Sequence, residues 1–201
     1  MIKKIAILGS TGSIGQSTLD VIYKKRKNFK IVLLTANNNY KKLIKQAKVF
    51  NAQNVIIKNS KHYLKVKHSL KKNKTKVFTG NVSLNSIISS KLDYTMSSIV
   101  GIAGLQPTVD AMRISKVVAI ANKETIICGW EILSKYIKKY KTEIIPVDSE
   151  HFSIMELTRG ISNEEVEEII ITASGGPFLN STINKLKKVK AKQAIKHPNW
   201  K

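Results

Sequence analysis

Near the N-terminus an apolar run, Ile5-Ala6-Ile7-Leu8, gives way to the turn Gly9-Ser10-Thr11-Gly12-Ser13-Ile14-Gly15 and then to an amphipathic stretch over about 14–25. Four consecutive apolar residues suit a strand covered on both faces, and glycines at every third position let the backbone turn tightly. Leu19, Val21 and Ile22 are available to the buried side of the helix that follows. Strand, glycine-rich turn and helix in that order imply an α/β design in which turn and helix N-terminus can receive a pyrophosphate. The spacing is G-x-x-G-x-x-G rather than the commoner G-x-G-x-x-G, so a merely structural turn is the competing reading.

The same alternation continues. Further strands are expected at 31–35, 54–57, 76–78, 93–100, 117–120 and 143–147, with helices at 40–50, 61–72, 107–114 and 124–139. Strands separated by helices pair in parallel, with helices on both faces. The fold class is therefore α/β, a Rossmann-like doubly wound, mainly parallel sheet. A composition change follows Glu150: residues 164–168 hold the one acidic cluster, 169–172 reads as a strand, and the chain past Pro177 is polar and Lys-rich. These features predict a dinucleotide-binding domain over 1–149 and the incomplete beginning of a second domain over 150–201.

Composition narrows the function classes. No apolar stretch approaches the ~20 residues that span a bilayer, and the N-terminus lacks a signal-peptide core. Cys128 is the only cysteine, so no intrachain disulfide forms and a cytoplasmic location is the default expectation. The net charge of +22 raises the question of nucleic acid. The lysines are spread over most predicted surface helices, without a nucleic-acid-binding motif, so no specific nucleic-acid partner is expected beyond weak binding at low salt. His62 and His68, in the Lys-rich helix, are expected to be solvated.

Four further motifs sit where chemistry can gather. After the second strand, NAD-binding folds usually place an Asp or Glu for the ribose hydroxyls. Here stand Asn37, Asn38 and Asn39, followed by Lys41 and Lys42. No carboxylate repels a 2′-phosphate, which favours NADP over NAD unless the run is only a loop. Asn122-Lys123-Glu124 follows a strand end, where Lys123 can meet a substrate oxygen or, alternatively, form a solvated pair with Glu124. In Pro146-Val147-Asp148-Ser149-Glu150-His151, an extended backbone would project Asp148 and Glu150 to one side and His151 away from it. Two hard carboxylates suit Mg²⁺ or Mn²⁺. The alternative is a helix N-terminal cluster capped by Ser149. Finally, Ser174 beside two glycines, His197 and Trp200 could supply two anion donors and an aromatic cover, or belong to a surface helix and a Pro-Asn turn.

In this order the segments GSTGSIG at 9–15, GIAGLQPT at 101–108, ANKE at 121–124, PVDSEH at 146–151, TASGGPF at 172–178 and HPNW at 197–200 resemble the 1-deoxy-D-xylulose 5-phosphate reductoisomerase family. The resemblance implies an NADPH-dependent enzyme with a small phosphorylated keto-sugar substrate, a Mg²⁺ or Mn²⁺ ion and a homodimeric assembly, and it makes 150–201 the start of an α+β catalytic domain that includes part of an active-site flap. It assigns Thr11, Gly12, Ser13 and Ile14 to the NADPH pyrophosphate, with Asn39, Asn122 and Glu124 completing the cofactor site; Asn37 and Asn38 occupy the family's 2′-phosphate loop. Lys123, Asp148 and Glu150 become the catalytic set, Asp148 and Glu150 as metal ligands. Ser149 joins Lys123 and Glu150 in binding the substrate backbone, Ser174 and His197 bind its phosphate, and Trp200 lies in a closing flap.

Two departures stand out. The family usually has Gly, then Lys, Arg or Ser, then Asn after the second strand, so this chain lacks a basic residue there. The chain also ends at Lys201, before the family's remaining flap, its substrate-binding Asn-Lys pair and a third metal carboxylate. A fragment of a longer product is therefore expected; a native product ending at Lys201 would bind metal weakly and turn over little. Other Rossmann oxidoreductases, such as aspartate-semialdehyde-type dehydrogenases, share the glycine spacing but need a nucleophilic cysteine. Cys128, inside a predicted helix, is a poor candidate for it.

Overall fold

The computed structural model describes residues 2–171 and 176–196. The chain divides into two compact units, Met1–Phe152 and Ser153–Lys201. The first unit is built on seven strands: β1 (Lys3–Leu8), β2 (Phe29–Ala36), β3 (Asn54–Ile57), β4 (Lys76–Thr79), β5 (Leu92–Ser97), β6 (Ser115–Ile120) and β7 (Glu143–Pro146). All neighbours pair in parallel in the order β4-β3-β2-β1-β5-β6-β7. The chain leaves β1 to one side for β2 and reaches β5 on the other, so the crevice between β1 and β5 is the topological switch point.

Strand periodicity explains the two-sided core. Ile5 and Ile7 pack with Leu19 and Ile22 of α1 (Ser13–Lys24), Leu43 and Ala47 of α2 (Tyr40–Phe50), and Val66 and Leu70 of α3 (Tyr63–Leu70). Ala6 and Leu8 face the other way. They pack with Leu84 of α4 (Leu84–Ile87), Val109 and Met112 of α5 (Leu105–Ile114), and Leu133 of α6 (Lys123–Tyr140). Because both faces are covered, the central strands read as continuous apolar runs. The doubly wound parallel sheet expected from the sequence is present.

Several local expectations need correction. Val21 is 64% exposed, because at 100° per residue it lies off the face shared by Leu19 and Ile22. β5 stops at Ser97, short of residue 100: Ser98 Oγ donates to the Leu8 carbonyl (2.7 Å), and Val100 stands in solvent. His62 is half-buried and stacked on Tyr40 with ring centroids 4.5 Å apart, whereas His68 is exposed as expected. α4 was not foreseen; four residues are too few for a helical period to register.

In the second unit, Ser162 and Glu165 form a capping box around a short 3₁₀ turn, the Ser162 N–H donating to Glu165 Oε2 at 2.8 Å. The strand expected at 169–172 is not formed over its described residues; Ile169, Ile170 and Ile171 are exposed and unpaired in any sheet. β-branched residues make a strand only when a neighbour accepts the ladder. Residues 179–196 contain two single-turn helices, α8 (Ile183–Leu186) and α9 (Ala191–Ala194). In sequence, α7 (Ser149–Leu157) begins in the first unit and ends in the second.

Candidate functional site

The turn after β1 is held by a buried polar lattice. Ser10 Oγ donates to Gln46 Oε1 (2.8 Å), and Gln46 Nε2 returns a bond to the Ser10 carbonyl (2.8 Å). Thr35, at the end of β2, accepts from the Gly9 N–H on Oγ1 and from the Ser10 N–H on its carbonyl, each at 2.9 Å. Gly9 has φ of +82°, and a Cβ there would stand 2.8 Å from the Ser98 carbonyl oxygen. At Gly15 a Cβ would come within 2.6 Å of the Ser10 Cα. Helix, turn and β5 therefore approach one another more closely than any side chain permits.

What this lattice presents is an open helix end. α2 is capped by Asn39, whose side chain accepts from the Lys42 N–H, and α6 by Asn122 in the same way from Thr125. α1 has Gly12 at its N-cap and no side-chain cap. Its first N–H groups are left for a ligand, and the helix dipole makes that ligand an anion. Gly12, with open backbone on its outer side, and the half-buried Thr11 line a cleft of about 800 Å³ that also takes in Asn37, Lys58, Ser98 and Ile99. A glycine turn that a Cβ would block, an uncapped N-terminus and a cleft beside them fit a dinucleotide. Ser13 and Ile14, the first helical residues, are exposed at the same end.

The asparagine run divides its work. Asn37 lines the cleft, Asn38 Oδ1 accepts from Asn59 Nδ2 (2.8 Å), and Asn39 caps α2. Lys42 Nζ donates to Gln16 Oε1 (2.7 Å), while Gln16 Nε2 donates to the carbonyls of Thr11 and Gly12. Asn122 is buried with both ends of its amide engaged: Nδ2 donates to the carbonyls of Ile99 and Gly101, and Oδ1 accepts from Thr125. It positions the loop beside the cleft, leaving no free side-chain donor. Lys123 is exposed and Glu124 half-buried in the first turn of α6.

Asp148, Ser149 and Glu150 follow β7 on the same edge of the sheet as the glycine turn. β7 lies three strands from β1, a lateral distance of roughly 14 Å at the usual strand spacing. Contrary to the extended reading, Ser149 and Glu150 begin α7, and Asp148, not Ser149, is the cap: its Oδ1 accepts from the His151 N–H at 2.8 Å. Helical spacing then brings His151 toward Asp148 instead of away, with Nδ1 2.7 Å from the same oxygen. Burial pushes the Asp148 carboxyl up, but the hydrogen bonds and charge of His151 outweigh it and hold it below the ordinary aspartate value. Two carboxylates are the right donor type for Mg²⁺ or Mn²⁺. Among the described residues no group of three or more His, Cys, Asp or Glu side chains comes together. Two carboxylates alone are fewer than the ligands such an ion takes.

Ser174, His197 and Trp200 lie outside the described residues. Sequence reading missed Gln46, Gln16, Ser98 and Lys58. Gln46 was detectable, since it stands at a buried position between Leu43 and Ala47 on the apolar stripe of α2. Lys58 follows the end of an apolar strand, the place where ligands of parallel sheets collect. Cys128 is exposed on α6, with no role in this arrangement. No helix among the described residues is long and apolar enough to cross a membrane.

Residues 5–129 match the family profile of 1-deoxy-D-xylulose 5-phosphate reductoisomerase, and residues 144–201 match the profile of its C-terminal domain. The enzyme of that name from Pelagibacter ubique is 54% identical over 200 residues, covering 98% of this chain and 52% of the relative. Its counterpart from Bacteroides fragilis is 43% identical, with 98% and 51% covered. Among solved structures, the Zymomonas mobilis reductoisomerase in complex with NADPH superposes with a TM-score of 0.88 at 35% identity, over 97% of this chain and 52% of that one. A reductoisomerase in complex with NADPH, fosmidomycin and magnesium gives 0.81 at 30%, over 99% and 52%. The chain spans about half the length of the curated relatives it matches. By profile, sequence and fold alike, this chain belongs to the 1-deoxy-D-xylulose 5-phosphate reductoisomerase family.

Proposed function

We propose that this chain carries the NADPH-binding part and the opening of the catalytic part of a reductoisomerase. The full-length protein would convert 1-deoxy-D-xylulose 5-phosphate to 2-C-methyl-D-erythritol 4-phosphate in isoprenoid precursor synthesis. The observation that carries the reading is the uncapped α1 N-terminus at the switch point, opening on a cleft along the edge that also bears Asp148 and Glu150. The relatives' complexes with NADPH and magnesium support it. A division into domains at 149/150, a homodimeric assembly and a cytoplasmic location belong to the same proposal.

In this reading the N–H groups at Ser13 and Ile14 orient the pyrophosphate, with Gly12 and Thr11 lining its approach, while Asn37, Asn38 and Asn39 border the adenosine end. Asn122 and Glu124 shape the loop and helix start near the nicotinamide. NADPH, when bound, would supply hydride, and Asp148 and Glu150 with further ligands would hold a divalent ion whose contribution would be Lewis acidity. Lys123 and Ser149 hold the sugar oxygens in register with that edge. Ser174 and His197 hold the substrate phosphate, and Trp200 excludes water as part of a flap. His151 restrains the Asp148 carboxylate by hydrogen bonding, as outer partners of metal ligands do.

Substrate-dependent NADPH oxidation by the full-length protein tests this. Asp148→Asn and Glu150→Gln should each lower turnover by more than the roughly 10–100-fold that loss of an outer partner of a metal ligand costs. NADPH affinity should stay unchanged. Wild-type-like turnover in either variant would remove the pair from the reaction.

A further inference from the structure

We infer that Lys58 is the cationic partner of the 2′-phosphate of NADPH in this chain, taking the part of the basic residue that the asparagine run lacks. The inference rests on the cofactor reading above and adds to it a residue that discriminates NADPH from NADH.

Position comes first. In a doubly wound sheet the ribose next to the adenine sits at the end of the second strand, where an acid binds the hydroxyls of NAD and a cation accommodates a 2′-phosphate. β3 is the next strand outward, about 4.8 Å away at the usual spacing. Lys58 is the first residue after β3, and its N–H donates to the Ala36 carbonyl (2.9 Å), locking it beside the end of β2. It lines the same cleft as Gly12 and Asn37. A lysine stem spans the remaining gap from one strand end to its neighbour.

Elimination among the nearby groups points the same way. Asn38 is bonded to Asn59 and Asn39 to the start of α2, so neither offers charge. Lys42 directs its ammonium to Gln16. Lys41 is exposed on α2 and is not among the cleft-lining residues. Lys58 is exposed and has no ion pair among the described residues. Asp110, the carboxylate on the cleft, sits on α5 and accepts from Gln106. An unpaired ammonium beside the ribose position is what a dianionic phosphate requires.

The test is equilibrium titration of NADPH and NADH, followed by nicotinamide fluorescence, into the 201-residue chain and its Lys58→Ala, Lys58→Arg and Lys58→Glu variants. Wild type should prefer NADPH. Lys58→Ala should lose about ten-fold in NADPH affinity, the size expected of one charge-assisted contact, and leave NADH within roughly two-fold. Lys58→Arg should keep most of the preference, and Lys58→Glu should reverse it. Unchanged NADPH binding in Lys58→Ala and Lys58→Glu, or equal losses for both dinucleotides, overturns the role of Lys58 while leaving the cofactor site standing. Wild type that binds neither dinucleotide overturns the cofactor reading and this inference together.

Discussion

Asp93 ties three strands together at the edge of the sheet away from the glycine turn. Its carboxylate accepts from the Lys4 N–H (2.8 Å) and from Lys116 Nζ (2.8 Å), bonds that hold its pKa below the ordinary value. A carboxylate with a depressed folded pKa adds stability above its unfolded pKa and loses it as pH falls through the folded one. Asp93→Asn should therefore cost roughly 0.5–1 kcal/mol at neutral pH, the range of a partly exposed pair. In urea melts the difference should begin to shrink near about pH 4, where free aspartate protonates, and disappear only as pH falls through the lower folded value. Gly15 has the opposite character, a steric demand independent of pH. Its Cβ would meet the turn's own backbone, so Gly15→Ala should lose about 1–3 kcal/mol, the usual cost of overpacking. A midpoint unchanged by this variant would show that the turn can relax away from α1.

At the scale of elements, the binding turn depends on α2 through one side chain. Gln46→Leu fills similar volume but leaves the Ser10 carbonyl without its side-chain donor and the Ser10 hydroxyl with only its longer bond to the Thr35 carbonyl (3.2 Å). It should cost about 1–3 kcal/mol, as an unsatisfied buried group does, and weaken NADPH binding by loosening the turn. Sequence reading placed all seven strands and the long helices because each carries a burial period. It could not settle Asp148-Ser149-Glu150: two-residue alternation and a helix start fit the same letters, and only the His151 N–H decides for the helix. The strand expected at 169–172 is not formed over 169–171 for a related reason, since apolar content promises a strand but pairing has to complete it. Lys58 escaped notice because its partners are one strand away in space and about twenty residues away in sequence.

For the molecule as a whole, stability should be uneven. Amides of β1, β5 and β6 sit in ladders with covered faces, while residues 158–171 and 179–196 rest on single turns and exposed side chains. Hydrogen exchange should find the three strands protected to near the global unfolding free energy and those segments exchanging through small local openings. Comparable protection in both would refute this. The net charge of +22 should make NADPH association weaken with added salt as well. The most direct test of the account is the Gly12→Asp variant, followed by NADPH titration and thermal melting on the same sample. Gly12 has φ of −75° and ψ of 173°, a backbone that any residue adopts, and aspartate is a better N-cap than glycine. A new carboxylate would occupy the anion position at the start of α1, so NADPH binding should vanish while the melting temperature holds or rises. Undiminished NADPH affinity in a folded Gly12→Asp protein would contradict the assignment of that helix end to the cofactor.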